Sequence, residues 1–181
     1  MQDADRFLAR HACLAAGEEI WGSAAFPVPL RLSWYCSAEE PPPGLVTSVR
    51  AIVFRGDDVL VVREPGGAPY VTPGGRCEPG ERFEATLRRE LLEETGWTLR
   101  ATRVLGFVHL RNLGPEPPGF RYPYPDAFQI VHAAEAGDFR PDAVIEDEWV
   151  AGSAFLPLAE ARALAIRPGE RALLEAALAR R

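Results

Sequence analysis

The chain has 181 residues, 47% apolar and 25% charged, proportions that suit a folded globular protein of one domain or one domain with an appendage. A net charge of −6 gives no general attraction to nucleic acid or an anionic membrane, so an anionic ligand has to be met by local arginines or through a cation. Cys13, Cys36 and Cys77 are scattered, odd in number and without zinc-type spacing; with no basic-then-apolar leader and no membrane-length apolar run, a reducing cytoplasm is the expected location.

Residues 3–20 place Phe7, Leu8, Ala12, Leu14, Ala15 and Ile20 at helical spacing, with Asp3 or Asp5 available as a cap, and so predict a helix. Residues 28–35 read as a short strand. Glu39-Glu40-Pro41-Pro42-Pro43-Gly44 is a linker that neither a helix nor an inner strand tolerates. Residues 1–44 are therefore expected to form a helical and strand extension, suited to packing or to contact in a homodimer, ahead of the main domain over 45–181. Trp34 and Tyr35 are weaker candidates for lining a ligand.

Residues 49–54 and 59–62 are β-branched runs separated by Arg55-Gly56-Asp57-Asp58, a hairpin signature. After a loop over 65–69, Tyr70-Val71-Thr72-Pro73-Gly74-Gly75 leads into the stretch over 74–97, GGRCEPGERFEATLRRELLEETGW. Neither Pro nor Gly occurs from 83 to 95, Pro79-Gly80 breaks the chain upstream, and Gly96 stands where a left-handed cap closes a helix. One helix of about three turns follows. At about 100° per residue, Glu90, Glu93 and Glu94 share an arc of about 100° beside the apolar stripe of Phe83, Leu87 and Leu91. Three carboxylates at the edge of a core must raise their pKa values or find cations, and hard oxygen ligands in this number suit Mg²⁺ or Mn²⁺.

Residues 99–104 and 106–110 read as two strands and 126–134 as another. Between them lies 111–125, RNLGPEPPGFRYPYP, with five prolines and three aromatics. It is too stiff for a linker and too long for a plain hairpin connection, which makes Arg111, Phe120, Arg121, Tyr122 and Tyr124 the expected substrate contacts. Glu146-Asp147-Glu148-Trp149-Val150 follows the turn at Arg140-Pro141-Asp142, and 158–166 and 169–181 close the chain as two Ala/Leu-rich helices. His109 and His132 sit in strand-like runs and read as structural. Cys77 has no histidine near it in sequence and is not expected to be a nucleophile.

The spacing within 75–97 carries more than composition does. Gly75, Glu81, Arg89, Glu90, Leu91, Glu93, Glu94, Gly96 and Trp97 fit the Nudix pattern at every fixed position: Gly, five residues, Glu, seven residues, Arg-Glu, an aliphatic, any residue, Glu-Glu, any residue, Gly and an apolar residue. A chance match is on the order of 10⁻⁸ per window. Over roughly 46–166 the chain resembles a Nudix hydrolase, with Tyr70 where those proteins very often have Trp. The resemblance implies an α/β/α sandwich with a mixed β-sheet, the motif helix on one face and a C-terminal helix on the other. It implies hydrolysis of a pyrophosphate bond in a nucleoside diphosphate-linked small molecule (a nucleotide, nucleotide sugar or dinucleotide), with Mg²⁺ or Mn²⁺ and with neither nucleic acid nor membrane as partner.

By the same resemblance, Glu90 and Glu94 are the principal metal ligands, Glu93 is a third ligand or orients water, and the carbonyl of Gly74 is a further ligand. Arg89 and Glu81 would hold the loop against the helix. The general base stays open, with Glu146 and Glu148 among the candidates. Two other readings are a regulatory module, which normally loses motif carboxylates that are all present here, and an RNA-end processing enzyme, which the acidic balance disfavours.

Overall fold

The computed structural model of the chain describes residues 3–23, 26–145 and 150–181. Helix α1 (Asp3–Leu8) precedes a hairpin of β1 (Cys13–Ser23) and β2 (Phe26–Cys36), and β3 (Val46–Arg55) and β4 (Asp58–Arg63) form a second. Short strands β5 (Pro69–Tyr70) and β6 (Gly74–Arg76) lead into α2 (Phe83–Thr95). Strands β7 (Trp97–Asn112) and β8 (Asp126–Phe139) come next, followed by β9 (Gly152–Pro157), α3 (Leu158–Ala163) and α4 (Pro168–Leu178).

The sheet runs in the order β1-β2-β7-β8-β3-β4-β5, with β6 paired to β3 and β9 to β4. Among the described residues only β3 and β8 run parallel; the other pairs are antiparallel, so the sheet is mixed. β3 is buried on both faces, as its near-continuous apolar run requires. Val49, Ala51 and Val53 face α2, where Leu87 and Leu91 are fully buried; Ile52 and Phe54 face Leu173, Leu174 and Ala177 of α4. Burial of each such leucine contributes about 1.5–3 kcal/mol, which fixes α2 against the sheet. The result is an α/β/α sandwich. Among the described residues no helix is long and apolar enough to cross a membrane.

Several expectations need correction. The helix read over 3–20 stops at Leu8, and Cys13–Ser23 is an edge strand instead. Pairing with β2 overrides the local preference: Glu18 stands opposite Arg31 and bonds it at 2.7 Å, Ala15 and Trp21 pack on the core, and Ile20, which a helix would have buried, is 74% exposed. Through β2 and β7, residues 13–36 are hydrogen-bonded into the same sheet as the rest of the chain. The two strands read over 99–104 and 106–110 are one, with a register shift between Val104 and Gly106. β9 had no reading in the sequence, and α3 ends at Ala163, short of 166. The reading made on Glu146-Asp147-Glu148-Trp149 lies outside the described residues.

His132 lies on the α2-facing side of β8, in step with Ile130 and Ala134 of that core cluster, and is 6% exposed. Neither ring nitrogen has a hydrogen-bond partner among the described residues. Burial holds its pKa down at about 4, against a weaker opposite pull from the Glu84 carboxylate. Above pH ~6.5 the ring is neutral in both folded and unfolded chains. Below that the unfolded chain takes up the proton first, so stability falls as pH drops and this contribution levels off near pH 4. Urea unfolding at pH 7 and pH 4.5 should therefore show a smaller loss of stability in His132→Leu than in the wild type, by about 2 kcal/mol; equal losses would place the titrating group elsewhere.

Candidate active site

Gly74 lets β6 run against the β3 backbone, and Gly75 leaves room there for a side chain of α2. In register, Gly74 stands opposite Arg50 and Gly75 opposite Val49 on β3. A Cβ on Gly74, whose φ is 132°, would meet the carbonyl oxygen of Val49 at 2.3 Å. A Cβ on Gly75 would meet Glu90 Oε2 at 2.1 Å, so the space left by that missing side chain is filled by the Glu90 carboxylate. The Gly74 N–H donates to Glu94 Oε2 at 2.8 Å, tying the last turn of α2 to the strand edge.

α2 occupies the residues expected of it, and Gly96 closes it with φ 74° and an N–H donated to the Leu92 carbonyl at 2.9 Å. This places Arg89, Glu90, Glu93 and Glu94 on its β6-facing edge. Arg89 is the hub. It grips Glu81 with Nε at 3.0 Å and Nη2 at 2.9 Å, and Nη1 reaches Glu90 Oε1 at 2.8 Å and Glu93 Oε2 at 3.3 Å. Nη2 also donates to the Arg76 carbonyl at 3.1 Å, so one guanidinium holds strand, loop and helix together.

Glu81 accepts further bonds from the buried Thr86 hydroxyl at 2.7 Å and the Glu78 N–H at 3.2 Å. Arg89 above all, and then these donors, hold its pKa down at about 2, and the carboxylates in turn hold the Arg89 pKa above its ordinary value. Cys77 sits beside this cluster half-buried, and desolvation raises its thiol pKa, which keeps it out of nucleophilic chemistry.

Behind the Gly74 turn lies a polar group that the sequence did not reveal. Arg50 Nη1 donates to the Thr72 carbonyl at 3.1 Å, and the Thr72 hydroxyl donates to Glu170 Oε1 of α4 at 2.7 Å. Glu170 is 4% exposed, its second oxygen has no partner among the described residues, and desolvation raises its pKa. Tyr70 is also raised, first by burial and then by the Glu94 charge. A charged residue inside the β-branched run of β3 was the available signal for Arg50; nothing in the helical pattern marked Glu170.

The structure divides the residues of the 111–125 loop. Arg111 is held by Asp126 at 3.5 Å and Asp5 at 3.7 Å, with Asp126 itself buried against His109 Nε2 at 2.7 Å. Tyr124 donates its hydroxyl to the Gly114 carbonyl at 2.6 Å, folding the loop on itself. Phe120 packs edge-on against Tyr122, ring centroids 5.5 Å apart, and Arg121 is exposed. Tyr122 is the loop residue that meets the motif: the Arg76 guanidinium lies 5.2 Å from its ring centroid. Trp34 and Tyr35 are buried, Trp34 where α4 passes at Gly169 and Tyr35 stacked 4.8 Å from Phe107, so neither lines a cleft. A cleft of about 690 Å³ opens beside Glu94 and Thr95, walled by Trp97, Phe139 and Phe155 with Arg55 over two of these rings.

Among the described residues no three His, Cys, Asp or Glu side chains already stand around a common point fit for an ion. The donor set fits a hard cation in kind, since Glu90, Glu93 and Glu94 offer oxygen alone. Glu90 and Glu93 would have to turn off Arg89 Nη1 to reach a shared ion.

The NUDIX domain family matches residues 44–177. NAD-capped RNA hydrolase NudC of Pseudomonas aeruginosa is 31% identical over 145 residues, covering 77% of this chain and 46% of the relative. The same-named protein of Pseudomonas entomophila is 28% identical over 151 residues, 80% of this chain and 48% of its own. The chain thus spans about half the length of these curated relatives. A NUDIX hydrolase structure from Nitrosomonas europaea superposes with a TM-score of 0.57 at 25% identity, covering 74% of this chain and 88% of that one. The Bacillus subtilis pyrophosphohydrolase BsRppH (E68A mutant) shares the fold at a TM-score of 0.58 and 19% identity, over 89% and 94%.

Arg89→Ala should lower both the melting temperature and any activity of the site, because it strands carboxylates that now share one cation; Arg89→Lys should restore only part of either, lacking the planar fork that Glu81 engages. Gly75→Ala should instead leave melting nearly unchanged, since Gly75 needs no positive φ, while displacing Glu90 and lowering activity. Full activity in Gly75→Ala would mean that the Glu90 position does not matter.

Proposed function

This chain belongs to the Nudix family, and on that footing we propose that it is a divalent-metal-dependent pyrophosphohydrolase acting on a nucleoside diphosphate-linked substrate. The observation that carries the reading is that Arg89 gathers Glu90 and Glu93 while the Gly74 N–H holds Glu94, so that three motif carboxylates are held along one edge of α2. A regulatory module has no need of three like charges held together at such cost.

In this reading Glu90, Glu93 and Glu94, with the Gly74 carbonyl, would hold Mg²⁺ or Mn²⁺, which when bound offsets the charge of the phosphate oxygens. The protein's own groups do the positioning. The Gly74 N–H orients the Glu94 carboxylate, Arg89 anchors the helix to the loop through Glu81, and Glu93, more exposed than Glu90 at 35% against 18%, serves as the third ligand or as the group that orients the attacking water. Water adds to phosphorus, the anhydride P–O bond breaks, and two phosphate monoesters leave. Glu146 and Glu148, candidates to accept the proton of that water, lie outside the described residues.

For the substrate, the curated relatives are named for NAD-capped RNA, an end that carries a dinucleotide pyrophosphate. Carried to this chain, that supports a dinucleotide-type pyrophosphate, and the net charge of −6 favours the free small molecule over a long polyanion. Phe120, Tyr122 and Tyr124, on a loop stiffened by proline, supply a stacking platform for the base at low entropic cost. A reducing cytoplasm suits the three free cysteines.

Turnover of NAD, ADP-ribose, a nucleotide sugar and a short 5′-NAD RNA should be measured with and without excess chelator. Chelator should abolish it, and turnover that persists would overturn the metal-dependent reading. Glu94→Gln should lower kcat by about a hundredfold or more with the melting temperature held. On the loop, Phe120→Ala and Tyr122→Ala should raise KM about five- to a hundredfold with metal dependence unchanged, as loss of base stacking would; unaltered KM in both would make the loop a structural flap.

A further inference from the structure

We propose that Arg76, held in orientation by Tyr122, is the cationic seat for the phosphoryl group of the substrate that the carboxylate cluster does not serve. The inference rests on the pyrophosphohydrolase reading and deepens it. Gly75 faces α2, since the space of its missing Cβ is where the Glu90 carboxylate lies. Side chains alternate along a strand, so Arg76 is directed away from α2 and from the carboxylates, to the side of its register partner Ser48. The backbone of Arg76 stays tied to the cluster, because its carbonyl accepts from Arg89 Nη2 at 3.1 Å.

Three other arginines close to the cluster are committed. Arg89 serves three carboxylates, Arg88 holds Glu84 and the Leu99 carbonyl, and Arg50 holds the Thr72 carbonyl. Arg76 is exposed, and among the described residues it takes part in no ion pair; its guanidinium lies over the Tyr122 ring, 5.2 Å from the centroid. That contact engages none of the Arg76 N–H groups in a hydrogen bond to the described residues, which leaves them for a ligand. A pyrophosphate laid across the bare Gly74-Gly75 edge would have the carboxylates on one side and these N–H groups on the other. In a chain of net charge −6, a local cation so placed is what a second phosphoryl group requires.

The test compares Arg76→Ala, Arg76→Lys, Tyr122→Leu and the double variant Arg76→Ala/Tyr122→Leu in steady-state kinetics on ADP-ribose with Mg²⁺, with ADP and adenosine as competitive inhibitors. Arg76→Ala should raise KM and the ADP inhibition constant about ten- to a hundredfold, with kcat within about threefold, the Mg²⁺ activation constant unchanged and adenosine inhibition unaltered. Arg76→Lys should recover part of the loss. Tyr122→Leu should weaken ADP inhibition less in the Arg76→Ala background than in the wild type, because part of its effect acts through Arg76; equal losses in the two backgrounds overturn the orienting role given to Tyr122. Unchanged ADP inhibition in Arg76→Ala, or a fall in kcat alone, overturns the assignment while leaving the hydrolase reading intact. A wild-type protein that neither turns over nor binds any nucleoside diphosphate derivative overturns both.

Discussion

The site depends on one guanidinium shared among carboxylates. Four glutamates from a loop and a helix crowd one edge of α2, and like charges at that spacing oppose both the helix and the approach of the loop. Arg89 answers this with a bidentate hold on Glu81 and single contacts to Glu90 and Glu93. Charge-assisted bonds of this kind are about twice as strong as neutral ones, and the planar fork fixes direction as well as distance. Because Nη2 also reaches the Arg76 carbonyl, the same residue fixes where β6 runs beside the helix.

The sheet supplies the rest of the positioning. β3 is pinned by apolar contacts on both faces and by its parallel ladder with β8, and β6 is hydrogen-bonded to β3. The carboxylates are thereby referred to a strand buried on both faces. Packing of Leu87 and Leu91 sets the rotation of α2, and rotation decides which glutamates meet the strand edge. Behind that edge, the Arg50, Thr72 and Glu170 chain ties the turn before Gly74 to α4 on the opposite face. A buried carboxyl with one partnerless oxygen is costly and is tolerated there in a folded state that other contacts stabilise.

Charge is distributed to match. The molecule as a whole is acidic; Arg89, Arg88 and Arg50 are engaged by carboxylates or carbonyls, and Arg76 is held by an aromatic ring instead. An arginine held over a tyrosine ring stays oriented while its N–H groups remain available, which an ion pair would not permit.

Legibility in the sequence followed the range of the forces involved. Helical periodicity and a terminal glycine determined α2 to the residue, the β-branched runs determined β3 and β4, and the motif spacing determined which carboxylates come together, because each of these signals is local. The N-terminal strand β1 was decided by its hairpin with β2, itself docked on β7, and the unbroken run of β7 and the pairing of β9 with β4 by partners further along the chain. The same holds for the site. Glu90, Glu93, Glu94, Arg89 and Glu81 sit within fourteen positions of one another, whereas Glu170 and Tyr122 reach the motif from 98 positions beyond Thr72 and from the far end of a hairpin. Spacing along the chain specifies what one helix and its loop can present; only the closed sheet decides what stands across from it, since contacts between distant segments leave no periodicity in either one.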